Sequence, residues 1–244
     1  MSMMELKQLD QLGYVLLEDI YSTGEMQSLA QVIAARLAQI VNTSALRSRG
    51  ELYGSRNLVD TVPEIVALGL DQRLMGFLQA VLGGNFGLVR ALYFDKPPNR
   101  TWSLPWHRDE TIAVQRNDLG GTYFTKPTMK GGVAHVVAPP SLLSKMLTLR
   151  IHIDAMTDEN GPLSVIPGSH RLTEANLSAP DPVTIHAWQG DVMAMRPLLS
   201  HSSCASRPGT LQHRRIVHLE YAASPDLPDG YAWHTYLSLH SLNQ

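Results

Sequence analysis

Apolar positions change their period about a third of the way along this chain. Gly13-Tyr14-Val15-Leu16-Leu17 is a short run of strand type. Behind it, Ser22 and Glu25 stand three apart as a capping box, and Met26, Leu29, Ile33, Leu37 and Ile40 recur at helical spacing. That pattern predicts an amphipathic helix over residues 23–42 whose Met and Leu stripe is core packing. Residues 47–56 are polar and contain glycine, which reads as a loop. A second helical stretch starts near Pro63, pauses at Gly69, resumes after Asp71 and stops at Gly83-Gly84, where glycine can take a left-handed cap.

After Gly84 short apolar runs alternate with turn residues. Residues 86–95 read as a strand ended by Pro97-Pro98-Asn99. Further strands fall at 133–137, at 147–154 after a short helix that Ser141 could cap, and at 163–166 behind the turn dipeptide Asn160-Gly161. Residues 183–188 and 192–196 flank Gln189-Gly190-Asp191, which looks like a hairpin turn, and 215–223 closes the series. Helices followed by many short strands predict a mainly β (α+β) fold, an antiparallel jelly roll with a helical buttress. No repeat or linker divides the chain. It reads as one domain over 1–244, with a helical part at about 20–84 and a jelly-roll core at about 86–223.

Composition narrows the function. With 244 residues, 44% hydrophobic and 17% charged, the chain can bury a sizeable core. A formal charge of −2 offers nothing to nucleic acid or an anionic membrane. One cysteine, Cys204, excludes a disulfide framework and fits a reducing compartment. No stretch approaches the length of an apolar membrane span. The expectation is a soluble, cytoplasmic protein.

The segment Leu104-Pro105-Trp106-His107-Arg108-Asp109-Glu110 carries the candidate chemistry. In an extended backbone, residues two apart project from the same side, so His107 and Asp109 can reach one ion together while Arg108 points away. Such a pair with one distant histidine is the donor set that holds non-heme Fe(II) and leaves positions open. The chain has ten histidines, so a further one proves nothing by itself. His201 is the candidate because it follows the apolar run 192–195 and the Pro197-Leu198-Leu199 bend, from which a jelly roll can return it to the mouth.

Further motifs follow in order. They are Trp106-His107-Arg108-Asp109, Glu159-Asn160-Gly161-Pro162-Leu163, Ile166-Pro167-Gly168-Ser169-His170, His201-x-Ser203 and Arg214. Together they resemble the phytanoyl-CoA dioxygenase family of Fe(II)- and 2-oxoglutarate-dependent oxygenases, over roughly residues 13–221. The resemblance implies a double-stranded β-helix with helices packed on one sheet. It also implies hydroxylation of a small organic molecule, with Fe(II), 2-oxoglutarate and O₂ consumed and succinate and CO₂ released. It carries the metal ligands onto His107, Asp109 and His201, and the 2-oxoglutarate contacts onto Arg214 and Ser203. An arginine suits that place because a guanidinium grips a carboxylate in bidentate fashion.

Departures from the family pattern leave alternatives open. The loop 202–213 is slightly longer than usual, so Arg215 stays beside Arg214 as the 2-oxoglutarate residue. Arg108 replaces a common glutamine and reads either as a substrate-steering group or as a surface ion pair. Arg150 sits at a position that faces the pocket in relatives and would need an anionic partner, either 2-oxoglutarate or an acidic substrate. His170 reads as a structural turn residue. His135, His152, His186, His213, His218, His234 and His240 read as satisfied or exposed. Residues 102–117 and 120–132 are expected to wall the substrate. Two rivals stand: a cupin-type metal hydrolase or isomerase with the same ligands, and a non-catalytic binding jelly roll.

Overall fold

The computed structural model of the chain describes residues 2–39, 45–48, 51–98, 101–172 and 181–238. It opens with a helix that the apolar spacing does not announce, α1 (Met3–Leu12), closed by a Ser2–Glu5 capping box and by left-handed Gly13. Strand β1 (Tyr14–Leu17) follows, and then α2 (Thr23–Ala38), whose Ser22 and Glu25 bond reciprocally. Helix α2 buries Met26, Ala30, Ile33 and Leu37. Residues 40–42 of the anticipated helix lie outside the described residues.

The polar stretch read as a loop is instead largely a hairpin, β2 (Ala45–Ser48) and β3 (Glu51–Ser55). Its strand character comes from backbone pairing of Gly54 and Ser55 with Phe94 and Tyr93, residues far along the chain that local patterning does not report. Then come α3 (Leu58–Thr61), α4 (Glu64–Gly69) and α5 (Gln72–Leu82), the last capped by Asp71. The remainder is β4 (Gly87–Lys96), β5 (Leu104–His107), β6 (Thr111–Val114), β7 (Thr125–Lys130), β8 (Val133–Val137), α6 (Pro140–Leu143), β9 (Met146–His152), β10 (Leu163–Val165), β11 (Val183–Ile185), β12 (Val192–Met195), β13 (His201–Ser203), β14 (Arg214–Ala222) and β15 (Leu237–Ser238). Ser141 lies inside α6 and caps nothing; Pro139 holds that place.

Among the described residues, every strand pair is antiparallel. The major sheet runs β1-β12-β9-β14-β4-β3-β2 with β15 against β4; the minor sheet runs β11-β10-β13-β5; a third runs β6-β8-β7. Residues 189–191 are therefore not a hairpin turn. They carry the chain from β11 in the minor sheet to β12 in the major sheet. Gly190, at φ 94°, makes that crossing because a Cβ there would strike the Tyr21 carbonyl.

Period-two alternation sorts the major sheet's side chains onto two faces. Leu147, Leu149, Ile151, Val217, Leu219 and Tyr221 join α2, α4 and α5 in the largest core. The Tyr221 hydroxyl donates to the Gly69 carbonyl at 2.7 Å, tying the helical layer to β14. Truncating one such fully buried leucine to alanine costs about 2–5 kcal/mol. The alternate residues Arg150, Arg214, Ile216 and His218 turn inward to a cavity shared with the minor sheet. Two facing antiparallel sheets with helices on the outer side of one form the jelly roll, or double-stranded β-helix, read from the sequence. Among the described residues, no helix is long and apolar enough to cross a membrane.

Candidate metal centre

His107 ends β5, His201 begins β13, and the two are direct partners across the minor sheet. Their ring centroids lie 4.2 Å apart. Asp109 stands two residues past His107, its amide donating to the Pro197 carbonyl at 2.9 Å. One donor atom from each of His107, Asp109 and His201 lies within 4.8 Å of the others, and His201 Nε2 is 3.7 Å from Asp109 Oδ2.

Hydrogen bonds orient the rings. His107 Nδ1 lies 2.8 Å from the Pro105 carbonyl, and His201 Nδ1 lies 2.9 Å from the Leu199 carbonyl. A carbonyl only accepts, so each Nδ1 carries the proton and each Nε2 keeps a free lone pair, the tautomer a metal requires. Burial, outweighing the pull of Asp109, pushes the His201 imidazole below its ordinary value and keeps it neutral. Loss of hydration alone would raise the Asp109 carboxyl, but His201, His218 and His107 together hold it below the usual range. Two imidazoles and one carboxylate on one side of a cavity suit Fe(II) with positions left over.

The cavity, about 450 Å³, continues from these donors to Arg150, Ser203 and Arg214. Arg150 Nε, Arg214 Nε and Ser203 Oγ are buried without a hydrogen-bond partner among the described residues. Arg214 otherwise reaches only the Met156 sulfur, at 4.0 Å. Burial pushes Arg150 down to about 9 and Arg214 down to about 10, so both stay charged at neutral pH. Two buried guanidiniums without counter-ions are costly unless an anion completes them. The donor set and these orphaned groups fit a ferrous ion with a chelating dianion such as 2-oxoglutarate. Arg215 points to the other face, where it grips Asp154 through two bonds of 2.8 and 2.7 Å.

Several groups here escaped sequence reasoning. His218, read as satisfied or exposed, instead lines the cavity, with Nε2 4.0 Å from Asp109 and 3.8 Å from Glu220. Burial pushes it down to about 3, so it stands neutral and forms no ion pair there. Its spacing of four from Arg214 along an alternating strand was a usable signal. Glu220 in turn pairs with Arg90 at 3.2 Å inside the barrel. Lys96 is fully buried and donates to the Cys204 carbonyl at 2.6 Å. Its cross-strand partner is Arg214, a register invisible in sequence. The Asn160-Gly161 turn makes room for this contact, since a Cβ at Gly161 (φ 71°) would strike the Cys204 carbonyl and the Lys96 ammonium.

The remaining candidates settle locally. His152 is buried with both ring nitrogens unpartnered. His186, His213 and His234 pair with Asp158, Asp95 and Asp60, while His135 bonds the Val133 carbonyl. His170 bonds the Asp10 carbonyl as a turn residue, and His240 lies outside the described residues. Arg108 donates to the Ser169 and Leu172 carbonyls, and among the described residues it makes no ion pair. Trp102 and Leu104 wall the cavity, but no residue of 120–132 lines it. That stretch supplies β7 and packs Phe124 into a separate core with the third sheet.

Comparison with known proteins agrees with this geometry. An L-proline trans-4-hydroxylase of Streptomyces griseoviridis is 26% identical over 177 residues, 72% of this chain and 56% of the relative. The ectoine dioxygenase of Sphingopyxis alaskensis is 26% identical over 174 residues, 66% of this chain and 47% of the relative. The chain thus matches about half the length of these two proteins. The crystal structure of EctD from S. alaskensis with bound Fe shares the fold, with a TM-score of 0.70 at 21% identity, covering 98% of this chain and 86% of that one. Residues 9–215 match the phytanoyl-CoA dioxygenase (PhyH) family, and the chain belongs to it.

Proposed function

We propose that the protein is an Fe(II)- and 2-oxoglutarate-dependent dioxygenase that hydroxylates a small organic molecule, with release of succinate and CO₂. His107, Asp109 and His201 would hold the iron. Arg214 and Ser203 would bind the far carboxylate of 2-oxoglutarate, with Arg150 beside them. The observation that carries this reading is the convergence of three donors within 4.8 Å on a cavity whose other wall bears two buried, unpaired guanidiniums. Relatives whose names record proline hydroxylation and ectoine dioxygenation support it, as does the ectoine enzyme's structure with 2-oxoglutarate.

When bound, iron and 2-oxoglutarate supply the oxidising chemistry through O₂. The protein's share is placement. His107 and His201 would hold the ion through Nε2, and Asp109 would offset part of its charge. Arg214 would hold the far carboxylate of 2-oxoglutarate. Leu163 and Ile216 help keep the space dry. A cupin-type hydrolase or isomerase could use the same three ligands, yet it has no need of buried arginines. The protein is read as one domain in the cytoplasm, with its small substrate, 2-oxoglutarate and O₂ as partners.

Anaerobic addition of Fe(II) and then 2-oxoglutarate should produce a weak visible charge-transfer band. Oxygen should then be consumed with matching succinate. If neither the band nor succinate appears, this reading fails.

A further inference from the structure

This inference rests on the dioxygenase reading and concerns its substrate. Arg56, Arg150 and Arg214 line the cavity, and Asp109 is the only carboxylate among the described residues that line it. Three guanidiniums and a ferrous ion bring five positive charges, while Asp109 and a 2-oxoglutarate dianion return three. A positive excess remains beside whatever else enters.

That excess has a location. Strand β3 pairs Gly54 with Phe94 and Ser55 with Tyr93, so the chain brings Arg56 toward the level of Leu92. Leu92 is opposite His218 on β14, whereas Arg214 is opposite Lys96, four residues further along. Four residues of strand span about 13 Å. Arg56 therefore stands at the iron end of the cavity, well separated from the pair that would take 2-oxoglutarate. The charged side chain that acts most strongly on Arg56 is Arg90, itself engaged by Glu220 at 3.2 Å. Arg56 is half-buried, has lost hydration, and has no ion pair among the described residues. Apolar surface from Tyr53, Phe94 and Trp102 lies along the same cavity.

We propose that the substrate is a small organic acid, its carboxylate received by Arg56 and its apolar body laid against Tyr53, Phe94 and Trp102. A guanidinium suits a planar carboxylate, and a half-desolvated one gains more from it than an exposed one does. A cationic substrate would meet Arg56 with like charge, and a neutral one would leave Arg56 uncompensated.

The test uses phenylacetate, 3-phenylpropionate and cyclohexanecarboxylate, each beside its primary amide. They are titrated anaerobically into the enzyme loaded with Fe(II) and 2-oxoglutarate, and the shift of the charge-transfer band is read. At least one acid should shift the band saturably, with its amide tenfold or more weaker. Arg56→Gln should weaken that acid at least tenfold while leaving 2-oxoglutarate affinity within threefold, and Arg56→Lys should recover part of the loss. Amides binding as well as acids, an Arg56→Gln variant binding acids normally, or silence from all three acids would each overturn the proposal. A band that never forms on adding 2-oxoglutarate is a different failure, that of the dioxygenase reading, and is seen before any acid is added.

Discussion

Arg214 and Arg215 are neighbours on β14 that leave it on opposite faces. Arg215 closes a two-bond clasp on Asp154, while Arg214 enters the cavity without an anionic partner among the described residues. One is finished within the protein, and the other is left for a ligand.

The pair should separate binding from stability. Arg214→Ala is expected to raise the apparent 2-oxoglutarate dissociation constant by roughly 100-fold, about 3 kcal/mol, with little change in melting temperature. Arg215→Ala should leave that constant within threefold and cost about 1 kcal/mol of stability, or roughly 2–4 °C. Titration of the charge-transfer band and thermal melting check the two. An Arg215 variant that loses 2-oxoglutarate would reverse the assignment.

Removing a donor should abolish metal loading without unfolding the chain. Asp109→Ala is expected to weaken Fe(II) binding by roughly 100-fold or more, because the remaining histidines are neutral and cannot offset the ion's charge. Iron content after gel filtration, beside an unchanged circular-dichroism spectrum, is the measurement. Full iron content would remove Asp109 from the site.

The buried Arg90–Glu220 pair carries a different risk. Arg90→Ala strands a carboxylate inside the barrel and should cost about 3–5 kcal/mol. The double replacement Arg90→Met with Glu220→Met strands nothing and should regain most of that loss. Denaturant melts of the two variants decide it; equal damage in both would mean the pair acts mainly through packing.

Lys96 sets a pH dependence. Burial pushes its ammonium down to about 7, with Arg214 and Arg150 adding to the effect. Unfolded, it titrates near the ordinary lysine value of about 10.4. Between those values the unfolded chain holds a proton that the folded chain has released, so this group makes stability rise with pH across the window. Its penalty is full below about pH 7 and gone above about pH 10.4. Lys96→Met should therefore melt above the parent at pH 6.5, with the gap closing by pH 9.5. A constant gap would show that Lys96 does not titrate in this range.

What the sequence disclosed follows the range of the forces involved. Helix α2 and the strands β9 and β14 are set by periodicities within one segment, and those were legible. The β2–β3 hairpin and the crossing at Gly190 depend on partners elsewhere in the chain, such as Tyr93 and Tyr21, and local pattern missed both. At the site, the spacing of His107 and Asp109 was plain, whereas pairing of His107 with His201 is a fact of sheet register. Lys96 looks like a lysine at a strand end until β14 is laid beside it. His218 was within reach, because Arg214, Ile216 and His218 fall on one face by simple alternation.

Each of the two imidazoles at the centre is tethered to a carbonyl only two residues upstream, at 2.8 Å for His107 and 2.9 Å for His201. Such short-range tethers do not need the ion to form. The chain's own backbone thus sets both rings, and little ordering entropy would be charged when metal arrives. A chelator would then silence the protein without denaturing it, and re-supplied ferrous ion would revive it without a refolding step.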